Sequence, residues 1–101
     1  MEAKQHFLFK VKEGKLEVSF ALEKFDASVT EEFKHELDTI WDDSIHAAVV
    51  DMSRLSLIDS SGVGALLSLR KRLGAGEASI TLIQPQPMVV RVLKMLRLQR
   101  V

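Results

Sequence analysis

Two adjacent hydroxyls, Ser60 and Ser61, stand between Asp59 and Gly62 in the run SLIDSSGVGALL. Three chemistries are open to such a group: a nucleophile, a phosphate-cradling loop, or an acceptor for a modifying group. A nucleophile elbow requires Gly-x-Ser-x-Gly. Here Ser60 follows Asp59 and Ser61 precedes Gly62, so the first glycine is missing. A triad also requires a positioned histidine, and neither His35 nor His46 carries a supporting pattern. Gly62-Val63-Gly64 is half of a dinucleotide fingerprint, but Leu67 takes the place of the third glycine and no Lys-Ser/Thr pair follows. His6, His35 and His46 are widely spaced and the chain has no cysteine, so no metal-ligand spacing is present. An enzyme is disfavoured, and neither a cofactor nor a metal is expected.

The remaining chemistry is modification. One serine is expected to cap the helix that follows, because a serine oxygen accepts from a free N–H of the first turn. A cap needs only one hydroxyl. The other is left at a helix mouth, where free N–H groups and the helix dipole tolerate an anion. A phosphate there would add about −1.5 to −2 charge beside Asp59.

These residues need elements to hold them. Phe7 to Val11 and the alternating run Leu16 to Leu22 flank a turn with Gly14, which predicts a hairpin. Ser28 and Glu31 have capping-box spacing. Val29, Phe33, Leu37, Ile40 and Trp41 then predict a helix ending near Asp42-Asp43. Ile45 to Met52 reads as a buried strand parallel to a neighbour. Val63 to Leu73 reads as a second helix, with Val63, Leu66, Leu67, Arg70 and Leu73 at helical spacing and Gly74 as its stop. Ser79 to Ile83 is a fourth strand. Pro85 and Pro87 mark a loop and a third helix, with Val89, Val92, Leu93 and Leu96 on one face. Gln99 to Val101 could add an edge strand. The expected fold is α/β, with one mixed sheet of four to five strands and helices packed on it.

The chain has 101 residues, so a single domain over 1–101 is expected. A hydrophobic fraction of 47% with 28% charged residues marks a globular protein. Fourteen basic and 14 acidic side chains cancel, which gives no electrostatic case for nucleic acid. No apolar run approaches the roughly 20 residues of a membrane span. MEAKQHFLFK lacks a secretory pattern, and a cytoplasmic protein is expected.

The segment VVDMSRLSLIDSSGVGALLSLRKRL resembles the signature of the STAS domain in its bacterial anti-sigma-factor-antagonist form. Asp51-Met52-Ser53 and Asp59-Ser60-Ser61-Gly62 match its pattern in order and spacing. The element order fits across nearly the whole chain. The resemblance implies a partner switch. A serine kinase, often the anti-sigma factor itself, phosphorylates the serine after the aspartate, here Ser60. A metal-dependent serine phosphatase reverses the reaction, and only the unphosphorylated form binds the kinase. Asp59, Ser61 and Gly62 would support the phosphosite. Asp26 falls where the family carries an acid near it, although Glu23 and Lys24 replace the usual Gly-acid pair before that position.

The loops after Leu22 and before Val63 would share one end of the sheet. Asp26, Ser28 and Thr30 are therefore candidate partner contacts, joined by Val63, Leu66 or Leu67 if part of the helix face is exposed there, although helical spacing makes most of these core residues. The alternative is a STAS accessory subunit of a transport or signalling assembly that is never phosphorylated.

Overall fold

A hairpin opens the fold. Strands β1 (Phe7–Lys12) and β2 (Lys15–Phe20) pair antiparallel, with Lys12 opposite Lys15. That register leaves two residues for the turn. Glu13 and Gly14 both have positive φ, 54° and 78°, the conformation a two-residue hairpin loop requires. The computed structural model describes residues 6–74 and 80–95. After the hairpin come β3 (Lys24–Phe25), α1 (Ala27–Ile40), β4 (Ala47–Asp51), β5 (Leu57–Ile58), α2 (Ser60–Leu73), β6 (Ile80–Ile83) and α3 (Pro87–Met95).

The main sheet has the order β1-β2-β4-β6. β4 runs parallel to both β2 and β6, so the sheet is mixed, as expected. Alternation along the strands points Phe7, Leu16, Val18, Phe20, Ala48, Val50 and Leu82 into the core. The helices close over that face with Phe33 and Leu37 of α1, Ala65, Leu66 and Leu69 of α2, and Val89 and Leu93 of α3. All five phenylalanines meet in one cluster. Phe25 lies 5.0 Å from Phe20 and 5.1 Å from Phe33, ring centre to ring centre. Such aromatic pairs add about 0.5–1.5 kcal/mol beyond the area they bury.

The structure revises several expectations. α2 starts at Ser60, three residues earlier than the apolar periodicity suggested. Its buried stripe is Gly62, Val63, Ala65, Leu66 and Leu69, and Leu67 and Arg70 face outward. Spacing alone leaves the centre of such a stripe free to rotate by one residue, and packing on the sheet selects it. α1 starts at Ala27 on an Asp26 cap, so Ser28 lies inside the first turn and forms no capping box. Leu96 and the Gln99–Val101 edge strand fall outside the described residues.

The strands β3 and β5 were not expected. Two residues each, they pair in parallel as a second, small sheet, with Lys24 opposite Leu57 and Phe25 opposite Ile58. Ser56 N–H donates to the Glu23 carbonyl at 2.8 Å, and Asp59 N–H to that of Phe25 at 3.3 Å. The ribbon binds the start of α1 to the start of α2. Gly62 lets α2 begin against it: a Cβ there would lie 2.3 Å from the Phe25 carbonyl oxygen and 2.8 Å from Ile58 Cγ1. The obstacle is backbone, which cannot swing aside as a side chain can. Gly62→Ala is expected to destabilise the domain by about 2 kcal/mol or more. Thermal unfolding should show this as a loss of roughly 10 °C.

Candidate functional site

Each helix at this end of the molecule begins on an aspartate. The Asp26 carboxylate accepts from Ser28 N–H at 3.0 Å and from the Ser28 hydroxyl at 2.6 Å. The Asp59 carboxylate accepts from Gly62 N–H at 3.0 Å, and its own carbonyl accepts the first helical bond from Val63. The cap of α2 is therefore Asp59, and neither serine performs it. Aspartate caps as well as serine does, and the residue just before the first turn takes the role. Ser60 and Ser61 occupy the first turn itself. The Ser60 side chain is exposed and that of Ser61 is half-buried.

The β3–β5 pairing brings the two capped loops side by side. Asp26 and Asp59 each follow a paired residue, Phe25 and Ile58. The structure thus joins Asp26, Ser28, Asp59, Ser60, Ser61 and Gly62 at one end of the fold. Three candidate partner contacts do not belong to that surface. Thr30 is 8% exposed, and Val63 and Leu66 are 3% exposed. Thr30 faces inward from the first turn of α1, and the other two pack into the core below α2. The apolar residue that α2 does present outward is Leu67, 43% exposed.

Electrostatics favours charge on Asp26. The Ser28 hydroxyl, then the Ser28 N–H, hold its carboxyl below the ordinary value of 3.8, and nearby Lys24 adds to this. Asp51, in the matching Asp-x-Ser motif, receives Ser53 N–H at 2.9 Å and turns the chain at the end of β4. Gln86 then ties that turn to the start of α3 through the Ser53 carbonyl at 2.7 Å. An open depression of about 510 Å³ lies on the outer face of the sheet, lined by Leu8, Lys10, Glu17, Ser19, Asp51 and Ile83 among others, and holds none of the site's hydroxyls. Among the described residues, no three His, Cys, Asp or Glu side chains are grouped to hold a metal ion.

Sequence reasoning missed Asp26 and Asp59 as caps. The signal was present in Asp26-Ala27-Ser28 and Asp59-Ser60-Ser61-Gly62, where an acid precedes small residues at a helix start. Asp59→Ala is expected to cost about 1 kcal/mol, while Ser61→Ala stays within roughly 0.5 kcal/mol of wild type in denaturant titrations. For Asp26 the effect follows pH. A depressed folded pKa gives stability above the ordinary value of 3.8 and loses it as pH falls through the folded value. The gap in Tm between wild type and Asp26→Asn should be open at about pH 7 and closed at about pH 2.

Comparison with known proteins gives the family and the fold. The STAS domain family matches residues 10–101. No curated protein sequence matches the chain. The fold resembles that of the anti-sigma factor antagonist SpoIIAA in its unphosphorylated form, with a TM-score of 0.78 and 24% identity over 91% of this chain and 81% of that one. It resembles the phosphorylated form of SpoIIAA from Bacillus with a TM-score of 0.70 and 24% identity, over 91% and 84% of the two chains. A sulfate transporter family protein from Wolinella succinogenes gives 0.65 at 20% identity, over 88% and 71%. At these identities the likeness is one of fold. The family match spans all but the first nine residues, from within β1 onward, and includes both aspartate-capped loops: the chain belongs to the STAS domain family.

Proposed function

We propose that this protein is an anti-sigma factor antagonist that works as a phosphorylation-controlled binding module, with Ser60 as the modified residue. One observation carries the reading. Ser60 offers an exposed hydroxyl at the mouth of α2, and Asp59 has already taken the capping role. The hydroxyl can be modified without removing a bond on which the helix depends. The unphosphorylated form binds a serine kinase that is also the anti-sigma factor and releases what that kinase held. A metal-dependent serine phosphatase restores it. The setting is the cytoplasm of a bacterium and the output is transcription. Among the described residues no helix is long and apolar enough to cross a membrane.

The kinase transfers the γ-phosphoryl of ATP to the Ser60 oxygen. The O–P bond to Ser60 forms as the bond to ADP breaks, and a base of the kinase takes the hydroxyl proton. The product carries about −1.5 to −2 charge. N–H groups of the first turn of α2 offset part of it, so the domain stays folded. Asp59 and Asp26 add to it, so a partner surface that fitted the neutral hydroxyl now faces a concentrated anion. Desolvation and repulsion in a closed interface cost several kcal/mol, enough to switch binding. Asp59 and Asp26 shape the electrostatics, Ser61 and Gly62 the loop, and Ser28 the rim.

A second reading rests on the likeness to the sulfate transporter family protein. It makes the chain an unphosphorylated accessory subunit of a transport assembly. Mass spectrometry of the native protein, isolated with its bound partners, separates the two. Phosphate at Ser60 and a co-purifying kinase support the switch, and transporter subunits with no kinase overturn it. Ser60→Ala should abolish phosphorylation and keep kinase binding. Ser60→Asp should weaken that binding tenfold or more. Stoichiometric labelling of Ser60→Ala at one site would move the assignment to Ser61 or Ser56.

A further inference from the structure

We propose that the outer face of the sheet binds a small zwitterion with an apolar side chain, of the amino-acid class, seated over Ser19 and Val49. The site is on the side of the sheet away from the helices and is independent of any role for Ser60. Pairing register builds it. Leu8, Ser19, Asp51 and Ile83 form one row across all four strands, and Lys10, Glu17, Val49 and Thr81 form the next. Alternation sends these side chains outward, opposite to Phe7, Val18, Val50 and Leu82. Short Ser19 and Val49 lie diagonally in the middle, and longer side chains ring them. That difference in length leaves the depression of about 510 Å³.

Two features of this face are not explained by the fold. First, β2, β4 and β6 run parallel to one another, and parallel strands are normally covered on both faces. The described helices bury their apolar residues on the inner face, while Leu8 and Ile83 are 51% and 36% exposed. Second, Lys10 and Glu17 stand directly opposite each other on β1 and β2. Among the described residues ion pairs join His6 to Glu32 and Arg72 to Asp38, and none joins these two.

Size and charge select the occupant. Short strands four abreast, about 4.8 Å apart, give a face on the order of 300–400 Å². A specific protein interface takes about 800 Å² from each partner. The volume falls instead within the roughly 300–1,000 Å³ of small-molecule sites. On the rim, the carboxylates of Glu17 and Asp51 lie one strand and two residues apart, with Ser19 next to both. An ammonium group between them can donate to both carboxylates and to the Ser19 hydroxyl. Asp51 gives one oxygen to Ser53 N–H, and its other oxygen faces the ligand's charge. Lys10, beyond Glu17, repels a simple cation and attracts a carboxylate. A simple anion meets two carboxylates for one lysine. A zwitterion answers both signs, and an apolar side chain on it covers Val49 and Ile83.

The test titrates the isotope-labelled full chain by amide NMR, with L-leucine as the probe. Glycine lacks the apolar side chain, isocaproate the ammonium and isoamylamine the carboxylate. Leucine should give saturable shifts centred on Ser19, Val49 and Asp51, with a Kd of about 1 mM or tighter. Each of the other three should bind at least tenfold more weakly. Glu17→Gln and Lys10→Gln should also weaken leucine binding at least tenfold, while Glu31→Gln on α1 leaves it unchanged. Both weakened variants should unfold at the wild-type temperature, because neither side chain serves the core. Failure of leucine to saturate the wild-type protein overturns the site, and so does unchanged leucine binding in Glu17→Gln and Lys10→Gln. Isocaproate or isoamylamine binding as tightly as leucine overturns the zwitterion. A wild-type dimer in sedimentation that Ser19→Phe dissociates, with no response to leucine, would give the face to a second copy and overturn the proposal.

Discussion

The close approach of Gly62 to the Phe25 carbonyl holds the functional end of this molecule together. Phe25 works in two directions. Its ring sits among Phe7, Phe20 and Phe33, so the aromatic core fixes its position. Its carbonyl accepts Asp59 N–H and has room for nothing larger than glycine at position 62. The residue after it caps α1, and the residue that donates to it caps α2. One buried ring thus sets the relative placement of two helix mouths. The β3–β5 ribbon is too short to be stable by itself. It persists because Phe25 and Ile58 are buried behind it.

The two aspartate caps answer a backbone requirement and also create the electrostatics of the site. Each helix start leaves N–H groups without intrahelical partners. A carboxylate satisfies them and places negative charge where the dipole favours it. The result is a surface on which two carboxylates flank a neutral, exposed hydroxyl. The balance differs between the states of that hydroxyl. As a neutral group it adds nothing to the field of Asp26 and Asp59. As a phosphate it would make the same small area strongly anionic while the helix start still supplied donors to it. A large change in surface potential then requires little change in fold.

Much of this was legible in the sequence, for identifiable reasons. The hairpin, the parallel strands and the three helices each span enough residues for a period of 2 or 3.6 to repeat. Gly74, Pro85 and Pro87 punctuate them. Lys24-Phe25 and Leu57-Ile58 were not legible as strands, because two residues contain no period. Their pairing is tertiary, set by the core behind Phe25. The caps were misplaced for a different reason. Asp and Ser are near-equal caps, so Asp59-Ser60-Ser61 offers three candidates, and the start of the first hydrogen-bonded turn decides among them. Thr30, Val63 and Leu66 belong to the site's segments in sequence but not to its surface, because a helix turns about 100° per residue and these positions fall on its buried side.

That last distinction bears on how a switch here can transmit its signal. Behind Ser60 the structure is closed: Val63, Ala65, Leu66 and Leu69 are in the core, and Gly62 is pressed on Phe25. Close-packed interiors resist graded deformation, so a charge added at Ser60 has no soft path inward. The route outward is open. Ser60, Gly64 and Leu67 are aligned on the solvent side of a helix whose other side is locked. A charge added at Ser60 would therefore be felt on that face, through charge and fit, while the scaffold underneath stayed as it was. The packing of Gly62 on Phe25 holds the start of α2, and with it the Ser60 hydroxyl, in one place.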